Sequence, residues 1–106
     1  MNEVIGKMRI ISEKTLFDYA KDHADFLNPI KDWIAKVNQS KWKNFTEVKN
    51  TFNSADYIGN DRIVFDIKGN SYRVVALVFY FPPGLVYIRF VGTHPEYDKI
   101  NDCSVL

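Results

Sequence analysis

The chain predicts an α+β fold, with helices gathered in the first half and strands in the second. Two observations carry this. Apolar residues recur at helical spacing before residue 40, then give way to runs rich in Val, Ile, Phe and Tyr between residues 62 and 91. In addition, Val74–Phe79 is apolar at every position, so a strand there needs cover on both faces. The helices can cover only one face of the sheet, so the other is partly covered by the tail or open as a functional cleft, and the chain reads as an α+β sandwich.

The elements follow in order. Met8-Arg9-Ile10-Ile11 is a short candidate strand. Ser12 offers a helix N-cap, and Leu16, Phe17, Ala20 and Ala24 mark an amphipathic helix over residues 13–24. Asn28-Pro29 reads as a cap with proline at the first helical position. Ile30, Trp33, Ile34 and Val37 then form the apolar face of a second helix. Thr46–Phe52 is a short third helix. Arg62–Lys68, Ser71–Phe81 and Leu85–Val91 form a three-strand antiparallel meander broken at Gly69-Asn70 and Pro82-Pro83-Gly84. The expected sheet is small and antiparallel, the N-terminal strand plus the meander, against two or three N-terminal helices. Residues 1–7 read as an extension and residues 8–106 as one domain.

Composition excludes several classes. Apolar content of 46% and aromatic content of 15% argue against disorder, and a net charge of +1 gives no global polyelectrolyte signal. Cys103 is the sole cysteine, so neither an internal disulfide nor a thiolate zinc site is expected, and a reducing, cytoplasmic setting fits. No apolar run has membrane-spanning length, and Met1–Lys7 lacks a signal-peptide core. No cofactor or metal is expected, because no phosphate-cradling glycine loop and no paired-ligand motif occurs. Lys36, Lys41, Lys43 and Lys49 stand against Glu47 alone; they read as a solvated helix end and loop, or as a phosphate-facing patch with Trp42 interleaved. Trp33 and Trp42 read as core or interface, and His23 as a surface histidine.

Register gives one further inference. With Gly69-Asn70 as a two-residue turn, Asp66 lies opposite Arg73, and a cross-strand ion pair is one use of that arginine. An odd number of unpaired residues in the Pro-Pro-Gly loop would put Arg89 on the face of Arg73. Arg89 runs into Thr93-His94-Pro95-Glu96-Tyr97-Asp98-Lys99. Two readings of that segment stand side by side. Thr93 and Glu96 form a capping box with Pro95 in the first turn, or the arginines, His94, Tyr97 and Asp98 hold a phosphate and move protons around it.

Val64-Phe65-Asp66-Ile67-Lys68-Gly69-Asn70-Ser71-Tyr72-Arg73-Val74-Val75-Ala76, followed by Val86–Lys99, resembles the HigB-type toxins of the RelE-like ribonuclease superfamily over most of residues 8–100. The resemblance implies a RelE-like fold and a toxin that cleaves mRNA on the ribosome. It also implies a HigA-type helix-turn-helix antitoxin, through which alone operator DNA would be met. The implied reaction is metal-free attack of a ribose 2′-hydroxyl on the adjacent phosphorus. Arg73 and Arg89 would then neutralise the phosphate, His94 would serve as base or acid, and Tyr97 and Asp98 would orient the nucleotide or relay protons. Lys41, Lys43, Lys49, Lys68 and Lys99 would meet RNA or the ribosome. Two alternatives stay open: a toxin-fold protein with degenerate catalysis that binds RNA or a protein partner, and a toxin on the same scaffold acting on a protein such as a topoisomerase.

Overall fold

The computed structural model describes residues 7–80 and 83–106. The expected extension lies outside them except for Lys7. Strand β1 (Met8–Ile11) leads into α1 (Glu13–Ala20), a 3-10 turn (Ala24–Phe26) and α2 (Leu27–Gln39). Then come α3 (Phe45–Thr51), β2 (Asp56–Gly59), β3 (Arg62–Ile67), β4 (Tyr72–Phe79), β5 (Gly84–Thr93) and the short α4 (His94–Asp98). A second 3-10 turn, Cys103–Val105, follows.

The α+β reading and the β3–β4–β5 meander are as the sequence predicts, but the sheet is mixed and has five strands, ordered β1-β5-β4-β3-β2. Two corrections follow. Strand β1 pairs with β5 in parallel, Met8 opposite Gly84 and Ile11 opposite Tyr87. The helices carry the chain from β1 across to β2 at the opposite edge, and the antiparallel run β2–β3–β4–β5 then brings β5 back beside β1 in the same direction. Strand β2 was not foreseen, because a four-residue edge strand of largely exposed residues carries no alternation to detect.

Helix starts differ for local reasons. Ser12 stands at the N-cap of α1 but is left-handed (φ 72°), and its side chain caps nothing. Helix α1 stops at Ala20, four residues before the expected end, and the chain extends at His23. The 3-10 turn runs straight into α2, which puts Pro29 in its first turn, where the N–H groups have no helical partner to lose. Helix α3 is capped by Asn44, whose Oδ1 accepts from Glu47 N at 3.0 Å.

The core lies between the helices and one sheet face. Leu16, Phe26, Ile30, Trp33 and Val37 meet Ile63, Phe65, Ile67, Val74, Ala76, Val78, Val86 and Ile88. Each fully buried Leu or Ile contributes about 1.5–3 kcal/mol. Trp42 belongs to this core and its Nε1 donates to Thr51 Oγ1 at 2.9 Å. The core therefore uses the odd-numbered residues of β3 and the even-numbered residues of β4. Their alternates, among them Arg62, Asp66 and Arg73, lie on the opposite face.

Candidate active site on the second sheet face

Pairing assembles this face in rungs. Asp66, Arg73 and Gly92 share one rung; Val64, Val75 and Phe90 share the next; Arg62, Leu77 and Tyr87 share a third. A β-bulge between Val75 and Ala76 leaves Arg89 as an extra residue, since Phe90 pairs with Val75 and Ile88 with Ala76. Arg89 lies on the face of Arg73 because the Phe79–Leu85 pair leaves five residues, 80–84, in the loop, the odd count the sequence argument asked for. The bulge then brings Phe90 and Gly92 onto the same face.

The second face is not bare. Val75 is fully buried and Val64 nearly so. Part of the cover is α4, whose Tyr97 ring lies 6.3 Å from that of Phe90. The capping-box reading of this helix is correct: Thr93 Oγ1 accepts from Glu96 N at 3.2 Å, and Glu96 Oε1 accepts from Thr93 N at 2.7 Å. Pro95 lies in the first turn. The reciprocal bonds lower the Glu96 carboxyl, chiefly through Thr93 N–H.

Arg73 is committed. Its Nε is 3.2 Å from Asp66 Oδ1, Nη2 donates to Asn70 Oδ1 at 2.6 Å, and Nη1 donates to Tyr72 O at 3.2 Å. Only 9% of its side chain is exposed. The cross-strand ion pair is thus present, each guanidinium nitrogen of Arg73 has a protein partner, and the enclosed side chain offers a ligand mainly its field. The turn before it differs from expectation. Ser71 N donates to Lys68 O at 3.1 Å, but the left-handed residues are Lys68 (φ 54°) and Gly69 (φ 60°). Asn70 instead spends its side chain on Arg73.

Arg89 is exposed. Its Nε donates to Leu106 O at 3.0 Å, and its guanidinium carbon lies 5.6 Å from the centre of the Tyr87 ring. His94 opens α4, with Nε2 3.5 Å from Asp98 Oδ2 and its backbone N–H bonded to Ser71 O at 3.0 Å. Both side chains reach solvent, so His94 does not pack under the sheet. Burial, and after it the Cys103 thiol, pushes the Tyr97 hydroxyl upward, while the charge of Arg73 pulls it back. Tyr97 thus links the Arg73 rung to the tail.

The lysines divide. Lys68 Nζ is bonded to Asp25 Oδ2 at 2.8 Å, and Lys49 Nζ to Ala55 O at 2.8 Å with Asp56 Oδ1 at 3.6 Å. Lys36 pairs with Asp32. Lys41, Lys43 and Lys99 are exposed and have no ion-pair partner among the described residues. Lys49 and Lys68 are therefore structural first.

Sequence reading missed two features. One is Arg62: the same arithmetic that sets Asp66 opposite Arg73 sets Arg62 opposite Leu77, on the same face, so the signal was available. The other is a polar cluster beside α4. Tyr72 donates a short hydrogen bond to Asp25, Tyr19 stacks on His23 with centroids 3.8 Å apart, and Tyr19 OH donates to Glu96 Oε1 at 3.3 Å. His23 is part of this cluster and not a plain surface residue. Tyr72 is pushed up to about 12 by its bond to Asp25 and by burial, and Tyr19 to about 12 by burial and then by Glu96.

Among the described residues no three His, Cys, Asp or Glu side chains converge as a metal cage, and no helix is long and apolar enough to cross a membrane. A family model described as HigB_toxin, RelE-like toxic component of a toxin-antitoxin system, matches residues 27–100. The mRNA interferase toxin HigB of Escherichia coli K12 is 36% identical over 94 residues, covering 86% of this chain and 88% of its own. The proteins named mRNA interferase HigB in Escherichia coli O157:H7 and Shigella flexneri match to the same extent.

Proposed function

The chain belongs to the HigB family of RelE-like toxins, and from that premise we propose that it cleaves mRNA on the ribosome, in the cytoplasm, until a cognate antitoxin neutralises it. The antitoxin is taken to be of HigA type, with a helix-turn-helix domain that alone meets operator DNA. The observation that carries the reading is one face of a rigid sheet presenting Arg62, Arg73 and Arg89, with His94 and Tyr97 brought to it by a capped helix.

The reaction needs three things: a base for the 2′-hydroxyl, positive charge for the phosphorane, and an acid for the 5′-oxygen. Arg89 supplies a fork that never loses its charge near neutral pH. Arg73, locked by Asp66 and Asn70, supplies a fixed field that needs no reorganisation as charge develops. His94, with Asp98 beside its ring, can serve as base or acid. Tyr97 and the exposed Tyr87 offer ring faces for bases. Lys41, Lys43 and Lys99 contact ribosomal or messenger phosphates. No step is assigned to a metal.

The full engagement of Arg73 also favours a second reading, a binding protein on this scaffold without catalysis. Induction of the chain followed by primer extension on translated messages separates the two. New message ends with growth arrest support the endonuclease; arrest with intact messages supports binding alone, and a replication block ahead of any translation block points to a protein target.

A further inference from the structure

The most polar unexplained contact on the second face is at its far end from His94. Arg62 Nε and Nη2 donate to Leu106 O at 3.1 and 2.6 Å, and Arg89 Nε donates to the same oxygen at 3.0 Å. Three guanidinium N–H groups from two strands thus converge on one main-chain oxygen. Two like charges held this close repel unless an anion or strong dipole lies between them. Their forks are the geometry that fits phosphate oxygens.

The tail is held by hydrogen bonds together with the half-buried side chains of Cys103 and Leu106. Asn60 Nδ2 donates to Ser104 O at 3.1 Å, and Asp102 Oδ1 accepts from Ser104 N at 3.0 Å. Val105 is 68% exposed and gains almost nothing from burial. A segment latched by a few solvent-accessible hydrogen bonds opens easily. Beside the arginines stands Tyr87, one of the few exposed aromatics, under the Arg89 guanidinium. An arginine pair next to an exposed ring is a platform for a single-stranded nucleotide, with phosphate on the charges and base on the ring. The rung of Arg62 lies four residues along β4 from that of Arg73, about 13 Å at the usual rise of a strand.

We propose that Arg62, beside the Arg89 fork that meets the scissile phosphate, binds the phosphate of a flanking nucleotide, and that residues 103–106 plug this site in the resting protein, with Leu106 O in place of a phosphate oxygen. The proposal rests on the RNA reading above and adds to it the Arg62 subsite and an autoinhibitory tail. RNA must displace the tail to bind, which lowers the affinity of the free protein by the fraction of molecules that are open.

The test uses a fluorescent six-nucleotide DNA strand, which lacks the 2′-hydroxyl and is not cut. Its affinity and salt dependence are measured for the full chain, a chain shortened after Asp102, Asn60→Gly, and the shortened chain carrying Arg62→Gln. Glycine keeps the positive φ of residue 60 (50°) while removing the latch. The shortened chain binds about tenfold tighter if the plug is closed in nine molecules of ten, and Asn60→Gly gains part of that. Arg62→Gln abolishes the gain and lowers the salt slope by about 0.7, one phosphate contact on a single strand.

Unchanged affinity in both loosened variants overturns the proposal. So does a gain that survives Arg62→Gln, or a gain seen for a polyglutamate peptide and not for the strand, which would make the pair a protein-binding site. If melting shows the shortened chain unfolded, Asn60→Gly decides. The probe is never cleaved, so tighter binding with intact cellular messages removes the endonuclease reading and leaves the subsite standing. Cut messages with unchanged affinities remove this proposal and leave the endonuclease reading standing.

Discussion

Arg73 and Asp66 face each other directly across β3 and β4, with Nε 3.2 Å from Oδ1 and the guanidinium almost wholly enclosed. Removing the arginine empties an enclosed site, leaves Asp66 without its partner and frees Asn70 Oδ1. Arg73→Ala therefore costs stability first, about 3 kcal/mol, equivalent to a Tm lower by about 10–20 °C in a domain of this size. Melting checks it. A Tm within about 2 °C of the parent, roughly half a kcal/mol, would show that the pair holds nothing together.

Arg89 and His94 give the opposite signature. Neither side chain is enclosed, and the backbone bond from His94 N to Ser71 O survives truncation. Arg89→Ala lowers single-turnover cleavage on programmed ribosomes about a hundredfold through lost charge stabilisation. His94→Ala does so by a similar factor through lost proton transfer. Tm moves little in both. Full cleavage rates in both variants would put the active site elsewhere.

For the lysines, charge reversal at Lys41 and Lys43 weakens ribosome binding without changing the melt, because both are exposed and unpaired among the described residues. The same change at Lys49 lowers Tm, because its ammonium bridges Ala55 O and Asp56. Sedimentation with ribosomes beside thermal melting distinguishes them. Equal behaviour at all three positions would contradict this division.

The pH dependence of stability follows from the cluster beside α4. Asp25 is held below the ordinary carboxylate range by Lys68 and then by the Tyr72 hydroxyl, and Glu96 by Thr93. Groups lowered on folding contribute stability above about pH 4, which is lost as pH falls through their folded values. Tyr72 and Tyr19, raised to about 12, contribute stability below about pH 10, lost as pH rises toward 12. The melting temperature is expected to be flat from about pH 5 to 9 and to fall on both sides. Asp25→Asn is expected to flatten both limbs, because one carboxylate serves Lys68 and Tyr72 together. A Tm profile identical to the parent's would show that the cluster does not couple to folding.

Periodicity and turn chemistry determined the helices, the meander and the Asp66–Arg73 rung, since side-chain alternation and a short turn allow one register there. The same local rules gave the capping box at Thr93. Tertiary structure decided the rest. Whether β1 runs parallel to β5 depends on the edge from which the helices start the later strands, which no local pattern records. The alignment of Phe90 and Gly92 with the face of Arg73 depends on a bulge, because one extra residue in β5 reverses the alternation beyond Arg89. Whether an arginine is free or spent depends on neighbours distant in sequence: Asp66 and Asn70 enclose Arg73, while Leu106 lies 44 residues from Arg62 and 17 from Arg89. Residue types announced the chemistry, but only the packed sheet shows that Arg73 is enclosed by Asp66 and Asn70, and that Arg62, unread, shares the tail with Arg89.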